Sequence, residues 1–279
     1  MSTKKSGFEA FSLFLFLIIL NKRYVCKKYH FTNFKLDLMK SNTLKTLSFL
    51  FLMLFAAPQI FAHALWIETK STGTKGKAQE ISVFFGEFSD NDITKADKWF
   101  SDLKDFTLVV ISPSNKETKL TSKALDNKYQ AFFTPDEDGV YTIVMHHKVK
   151  DVYGTMVLDY NSSATVVVGT KTAGNTIASN TNKIAVFSES AAAAKKDTKI
   201  TGVASLEGVI AKEAKIKVIA PNGWEKELWT NDKGEFSFTP IWSGNYMVEY
   251  AHTEKASGDH NGKKYDEIWK MATYQIAVK

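Results

Sequence analysis

Beyond residue 80 the chain is a succession of short runs rich in Val, Ile, Phe, Tyr and Thr, some alternating apolar with polar and others apolar throughout. Alternation with period two places every second side chain on one face of a strand, and short apolar runs bounded by turn residues read as buried strands. Strands are expected at 80–88, 106–112, 140–147, 164–168, 214–220, 235–238, 246–252 and 269–278. Turn residues punctuate them: Ser112-Pro113-Ser114-Asn115, Pro135-Asp136-Glu137-Asp138-Gly139, Pro221-Asn222-Gly223 and Asn231-Asp232-Lys233-Gly234. One helix is expected, over 93–106, with Ile93, Ala96, Phe100 and Leu103 on one face. Many short strands with regular punctuation point to an all-β fold of the sandwich type.

Two apolar runs precede this region, at 11–20 and 47–57. Both are shorter than the roughly 20 residues that cross a bilayer as a helix. Residues 39–62 hold the three parts of a secretory signal: a basic stretch at 39–45, the apolar run at 47–57, and a polar stretch at 58–62 ending in a small residue. Met39 therefore reads as the start and 1–38 as an upstream extension; a double leader, or a membrane anchor at 11–20, is the alternative. Cleavage after Ala62 leaves His63 as the new amino terminus. Cleavage after Ala64, with Ala62 and Ala64 as the small-residue pair, removes it. The expected location is the periplasm.

A weak internal repeat runs through the exported part. Thr134-Pro135, Gly139, Tyr141 and His147 match Thr239-Pro240, Gly244, Tyr246 and His252, all at an offset of 105 residues. In sandwich domains a Tyr after such a turn ties a corner to nearby backbone, which accounts for the Gly and Tyr more readily than for the His. The expected organisation is two tandem β-sandwiches, at 63–168 and 198–279. A Thr-, Asn-, Ser- and Ala-rich connection at 169–197 joins them, with 184–187 a candidate opening strand of the second.

Composition changes meaning once the leader is set aside. The 279 residues carry 36 Lys+Arg, 30 Asp+Glu, a formal charge of +6 and one Cys. Nine of the basic residues, including the single Arg (Arg23), precede residue 63, as do two acids and the single Cys (Cys26). The remainder has a formal charge of −1, which removes the case for nucleic acid. It also has no Arg for bidentate phosphate recognition, and no thiolate or disulfide. No P-loop, G-x-G-x-x-G, H-E-x-x-H or G-x-S-x-G is present. No spacing singles out a catalytic group, so a non-enzymatic protein is expected.

Histidine chemistry is what remains, with His63, His146, His147, His252 and His260. Imidazole is a good ligand for Ni, Cu and Zn. An amino-terminal His63 would offer its α-amine and ring Nδ1 to one metal. His252 and Glu254 lie two apart on an expected strand and so project to the same face. His260 follows in the turn Ser257-Gly258-Asp259-His260-Asn261-Gly262. His146 and His147 must face opposite ways; His147, matched in the repeat, joins the candidate metal ligands His63, His252, Glu254 and His260. Six Trp survive the expected cleavage. Most should fill cores, while Trp224 and Trp242, beside turns, are the expected exposed pair.

Two stretches carry a resemblance. Ala62-His63-Ala64-Leu65-Trp66-Ile67-Glu68 resembles the start of a bacterial periplasmic family of unknown function, often described as a nickel- or cobalt-uptake accessory component. Ala220-Pro221-Asn222-Gly223-Trp224, Gly244-Asn245-Tyr246, His252-Thr253-Glu254 and the stretch from Gly258 to Tyr265 resemble the same family. Thr230-Asn231-Asp232-Lys233-Gly234-Glu235-Phe236 is similar to prealbumin-like domains of the carboxypeptidase-regulatory type. The resemblance implies two β domains, a transition-metal role (Ni, Co or Cu) centred on His63 with His252 and Glu254, and an inner- or outer-membrane metal transporter as partner. A structural module binding a protein or glycan at the cell envelope is the alternative. A mononuclear copper oxidative enzyme using an amino-terminal His is a third reading.

Overall fold

The computed structural model describes residues 63–279. The expected extension, both apolar runs and the signal peptide lie outside the described residues. In chain order the strands are β1 (Ala64–Thr69), β2 (Thr72–Gly73), β3 (Gln79–Glu87), β4 (Asp92–Ile93), β5 (Thr107–Ile111), β6 (Glu117–Lys119), β7 (Lys123–Ala124), β8 (Tyr129–Phe133) and β9 (Gly139–Tyr153). They continue as β10 (Met156–Val168), β11 (Ile184–Phe187), β12 (Ile200–Leu206), β13 (Val209–Ile210), β14 (Lys215–Ile219), β15 (Glu225–Trp229), β16 (Glu235–Phe238), β17 (Gly244–His260) and β18 (Lys263–Val278). The fold is all-β, and every strand expected from the hydrophobic pattern has its counterpart.

The strands form three sheets. The largest runs β15-β14-β17-β18-β10-β9-β5-β6, with β2 pairing β10. A second runs β1-β3-β8-β7, with β4 on β3, and a third β11-β12-β13, with β16 on β12. The large sheet is nearly palindromic. Outward from its middle each side reads long strand, long strand, short strand, edge strand, and the middle is the parallel pair β10–β18. β10 is buried along most of its length and β18 is largely buried from Trp269 onward, as strands covered on two faces must be.

Register explains how one sheet serves two cores. Leu158 pairs with Trp269, Tyr160 with Met271, and Ser162 with Thr273, so even residues of β10 share a face with odd residues of β18. Leu158, Tyr160, Ala164, Val166 and Val168 belong to a first core with Trp66, Ile81, Met145, Trp269 and Met271. Ala272, Tyr274, Ile276 and Val278 belong to a second, with Ile184, Ile216, Phe236 and Val248. The two cores therefore lie on opposite faces of the shared sheet. The β1-β3-β8 sheet covers one and the β11-β12-β16 sheet the other.

The segment 169–197 contributes directly to the second core, because Ile184 to Phe187 are all buried in β11. Buried polar groups fasten the layers. The Tyr274 hydroxyl, pushed up to about 12 by burial, lies 2.8 Å from the Thr165 hydroxyl.

The expected helix over 93–106 does not form. That stretch holds β4 and two 3-10 turns, Ala96–Lys98 and Leu103–Asp105. Lys95 and Trp99 adopt extended dihedrals and Ser101 a positive φ of 53°, which break a helical run. The turns let Trp99 enter the core with its indole N–H on the Thr94 carbonyl at 3.3 Å. A helix would have buried Phe100, which is exposed instead.

The repeat is structural. Gly139 opens β9 and Gly244 opens β17, with φ of 145° and 129°; a Cβ would stand 2.5 Å from Pro113 in the first and 2.8 Å from Pro221 in the second. The Tyr141 hydroxyl accepts from the N–H groups of Asp136 (3.0 Å) and Glu137 (2.9 Å). The Tyr246 hydroxyl accepts from Trp242 N–H at 3.1 Å.

Candidate functional site

Strand β1 positions the first candidate. Ala64, Leu65, Trp66 and Ile67 are fully or almost fully buried, and β1 pairs antiparallel with β3 from Ala64↔Gly86 onward. A buried hydroxyl cluster pins it over the β10–β18 seam. Thr273 Oγ1 donates to the Leu65 carbonyl at 2.7 Å and lies 2.8 Å from Ser162 Oγ, which accepts from Ile67 N–H at 3.0 Å. His63, immediately before the strand, is exposed. Its ring centroid sits 5.3 Å from that of Phe85, which itself packs on Trp99 and Tyr160.

The other candidates are already engaged, with one exception. His147 is buried with Nε2 3.0 Å from Asp102 Oδ1, which also accepts from Lys150 N–H at 3.0 Å. Burial pushes the Asp102 carboxyl up, but the Lys150 N–H and His147 outweigh it and hold the group below its ordinary value. His146 faces the other way, onto Asp159 at 3.1 Å, as adjacent strand residues must. His260 donates from Nε2 to the Val149 carbonyl at 2.9 Å, so only its Nδ1 keeps a lone pair.

His252 and Glu254 do share a strand face, but a cation already stands there. Lys270 Nζ lies 2.9 Å from Glu254 Oε2 and 2.6 Å from Glu207 Oε1. Burial pulls the Lys270 ammonium down, yet the two carboxylates win and raise it. His252 is the exception: it lines an open cleft of about 490 Å³ with Leu206, Ile210, Lys212 and Glu213. Among the described residues, no three His, Cys, Asp or Glu side chains gather as a metal cluster. A wider cleft of about 850 Å³, lined by Lys70, Glu80, Lys128, Phe132 and Gln275, contains none of the candidates.

Among the buried charged groups that sequence reasoning missed, besides Asp159 on β10, two stand on β17 and β18. Glu249 is buried with Lys217 Nζ at 3.2 Å; desolvation raises its carboxyl although Lys217 opposes the rise. Lys270 is the other. Each was a lone charge inside an apolar strand run, Tyr246-Met247-Val248-Glu249-Tyr250 and Ile268-Trp269-Lys270-Met271, and that interruption was the available signal. The Trp expectation fares better: Trp66, Trp99 and Trp269 are core residues, while Trp224 and Trp242 are exposed, as is Trp229.

No protein-family model and no curated protein matches the chain. Among solved structures it is similar to a DUF4785 family protein from Legionella pneumophila, at 11% identity and a TM-score of 0.30, over 69% of this chain and 53% of that one. It is also similar to Salmonella alpha-2-macroglobulin reacted with methylamine, at 10% identity and a TM-score of 0.25, over 78% of this chain and 15% of that one. The chain thus spans about half of the first protein and a small part of the second.

Proposed function

We propose that this is an exported, periplasmic transition-metal-binding protein that handles Ni, Co or Cu for uptake, with His63 as its metal-binding amino terminus. One observation carries the reading. Ala64 is a fully buried strand residue paired with Gly86, whereas His63 is exposed. Cleavage after Ala64 would cut the first residue from β1, while cleavage after Ala62 leaves the strand whole and frees the α-amine of His63.

That amine and the ring Nδ1 of His63 can close a chelate on one metal ion, giving two nitrogen ligands from a single residue. Two ligands make an incomplete site with open positions, suited to an ion carried and then passed to a membrane transporter. The rigid β1, held through Leu65 and Ile67, keeps the terminus at a defined place. The metal is cargo in this reading, and no catalytic role is assigned.

Intact mass of the exported protein comes first, with a chain beginning at His63 expected. Calorimetric titration with Ni(II), Co(II) and Cu(II) follows, on that protein and on His63→Ala. Loss of binding in the variant supports the reading. A chain beginning at Leu65, or equal binding by both proteins, refutes it.

A further inference from the structure

The register of β1 on β3 carries one step beyond the strand. Ala64 pairs with Gly86 and Leu65 with Phe85, so the residue before β1, His63, falls opposite Glu87. Parity puts His63, Leu65, Phe85 and Glu87 on one face of the pair. The His63 ring takes that same face, because it packs on Phe85 with centroids 5.3 Å apart. Residues directly opposite in an antiparallel pair have Cβ atoms about 4.5–5.5 Å apart, a separation across which an imidazole and a carboxylate can share one ion.

Glu87 is a carboxylate with one oxygen fastened and the other unused. Ser89 Oγ donates to Oε1 at 2.8 Å. Oε2 is buried and has no hydrogen-bond partner. Buried charges are ordinarily paired or bound to a metal. The ammonium whose charge reaches Glu87 is that of Lys217, and it is committed elsewhere. Its Nζ lies 3.2 Å from Glu249 Oε2 and 3.6 Å from Glu225 Oε1. Residues 87–94 hold Glu87, Asp90 and Asp92 and no basic residue. Asp92 pairs with Glu87 on the side away from β1 and is exposed.

We infer that Glu87 supplies the third ligand of the His63 site, and that the site is built for divalent Ni or Co rather than for Cu(I). The inference rests on the amino-terminal chelate proposed above. The α-amine and Nδ1 of His63 give two nitrogens, and Glu87 Oε2 gives an oxygen. Two side chains and a backbone amine make up this set, so no cluster of three side chains marks it. A carboxylate oxygen is a hard donor that suits divalent ions, whereas Cu(I) is selected by thiolate and thioether sulfur. Ser89 holds the carboxylate from behind, as hydrogen bonds do around metal ligands.

The test uses the exported chain that begins with His63, titrated calorimetrically with Ni(II) and Co(II), with Co(II) followed by visible absorption as well. Glu87→Gln keeps the shape of the side chain and an acceptor for Ser89. It should weaken both ions by about tenfold or more and alter the Co(II) absorption bands. Its melting temperature should equal or exceed the parent's, since an unpaired charge is removed. Asp90→Asn removes an exposed charge that does not stand opposite His63, and should bind as the parent does. Cu(I) affinity, read by competition with a chelator, should be equal in the parent and in Glu87→Gln. Loss of binding in His63→Ala with unchanged binding in Glu87→Gln overturns this inference and leaves the chelate standing. Unchanged binding in His63→Ala overturns the chelate itself. Equal weakening by Asp90→Asn and Glu87→Gln, or a Co(II) spectrum that Glu87→Gln leaves unaltered, shows a general charge effect and overturns Glu87 as a ligand.

Discussion

The hydroxyl cluster beneath β1 is the most informative place to perturb the molecule, because it joins the strand that carries His63 to the seam between the two halves. Thr273→Val keeps the shape of a side chain that is 1% exposed and removes only its hydroxyl. The Leu65 carbonyl then loses its 2.7 Å donor inside the protein, and Ser162 Oγ loses its neighbour at 2.8 Å. Leaving one buried acceptor unsatisfied costs about 1–3 kcal/mol. A central cost of about 2 kcal/mol lowers the melting temperature of a chain this size by about 4–8 °C. Urea and thermal melts read by tryptophan fluorescence measure the total, and Thr201→Val, at an exposed site on β12, serves as the neutral control. Amide exchange locates the loss: protection should fall first at Leu65 and Ile67, ahead of β12. Combined with Ser162→Ala, the losses should be less than additive, since both remove the same bond. A melt unchanged within about 1 °C, or protection lost equally in β1 and β12, would refute the claim that this cluster anchors β1.

Two further outcomes follow from the charged groups. Lys270→Met replaces a buried ammonium by an apolar stem of similar length and should be neutral or stabilising in denaturant titration. Glu207→Gln with Glu254→Gln instead strands the ammonium and should cost about 1–2 kcal/mol, less than for a fully buried pair because both carboxylates are about half exposed; the reverse order would contradict this account. Glu80 is held down to about 2, from 4.5, by Gln130 and then Lys128. Its folded form therefore stays ionised where the unfolded form takes up a proton. The stabilisation is complete above about pH 4.5 and is lost as pH falls towards 2. Glu80→Gln should be the less stable protein at pH 6 by under about 1 kcal/mol, since the group is half exposed, with the gap closed at pH 2. A gap that persists at pH 2 would show that another group is responsible.

Much of the local structure was legible in the sequence. Alternation in 80–88 and 246–252 corresponds to β3 and β17, and Gly139 and Gly244 sit where only a positive φ and a missing Cβ fit against Pro113 and Pro221. The 93–106 expectation failed because helical spacing of Ala96 and Leu103 can equally be met by two tight turns. Trp99, off the expected face, gained more by entering the core. Of the candidate ligands, the sequence identified residue types capable of binding metal but could not show which already had partners. Asp102 on His147, Val149 on His260 and Lys270 on Glu254 lie 45, 111 and 16 residues away in the chain.

By itself the sequence determined what short range controls: strand and turn positions, the Gly-x-Tyr corners, the near-neutral charge after residue 62, and the parity of each side chain along its strand. Only the tertiary structure decided that β10 and β18 pair in parallel, that the two cores occupy opposite faces of one sheet, and that His63 is exposed while Ala64 is buried. Period two says which residues of a strand share a face. It does not say which strand, more than a hundred residues away, will meet that face, because the choice rests on packing and hydrogen bonds between segments that local pattern does not couple.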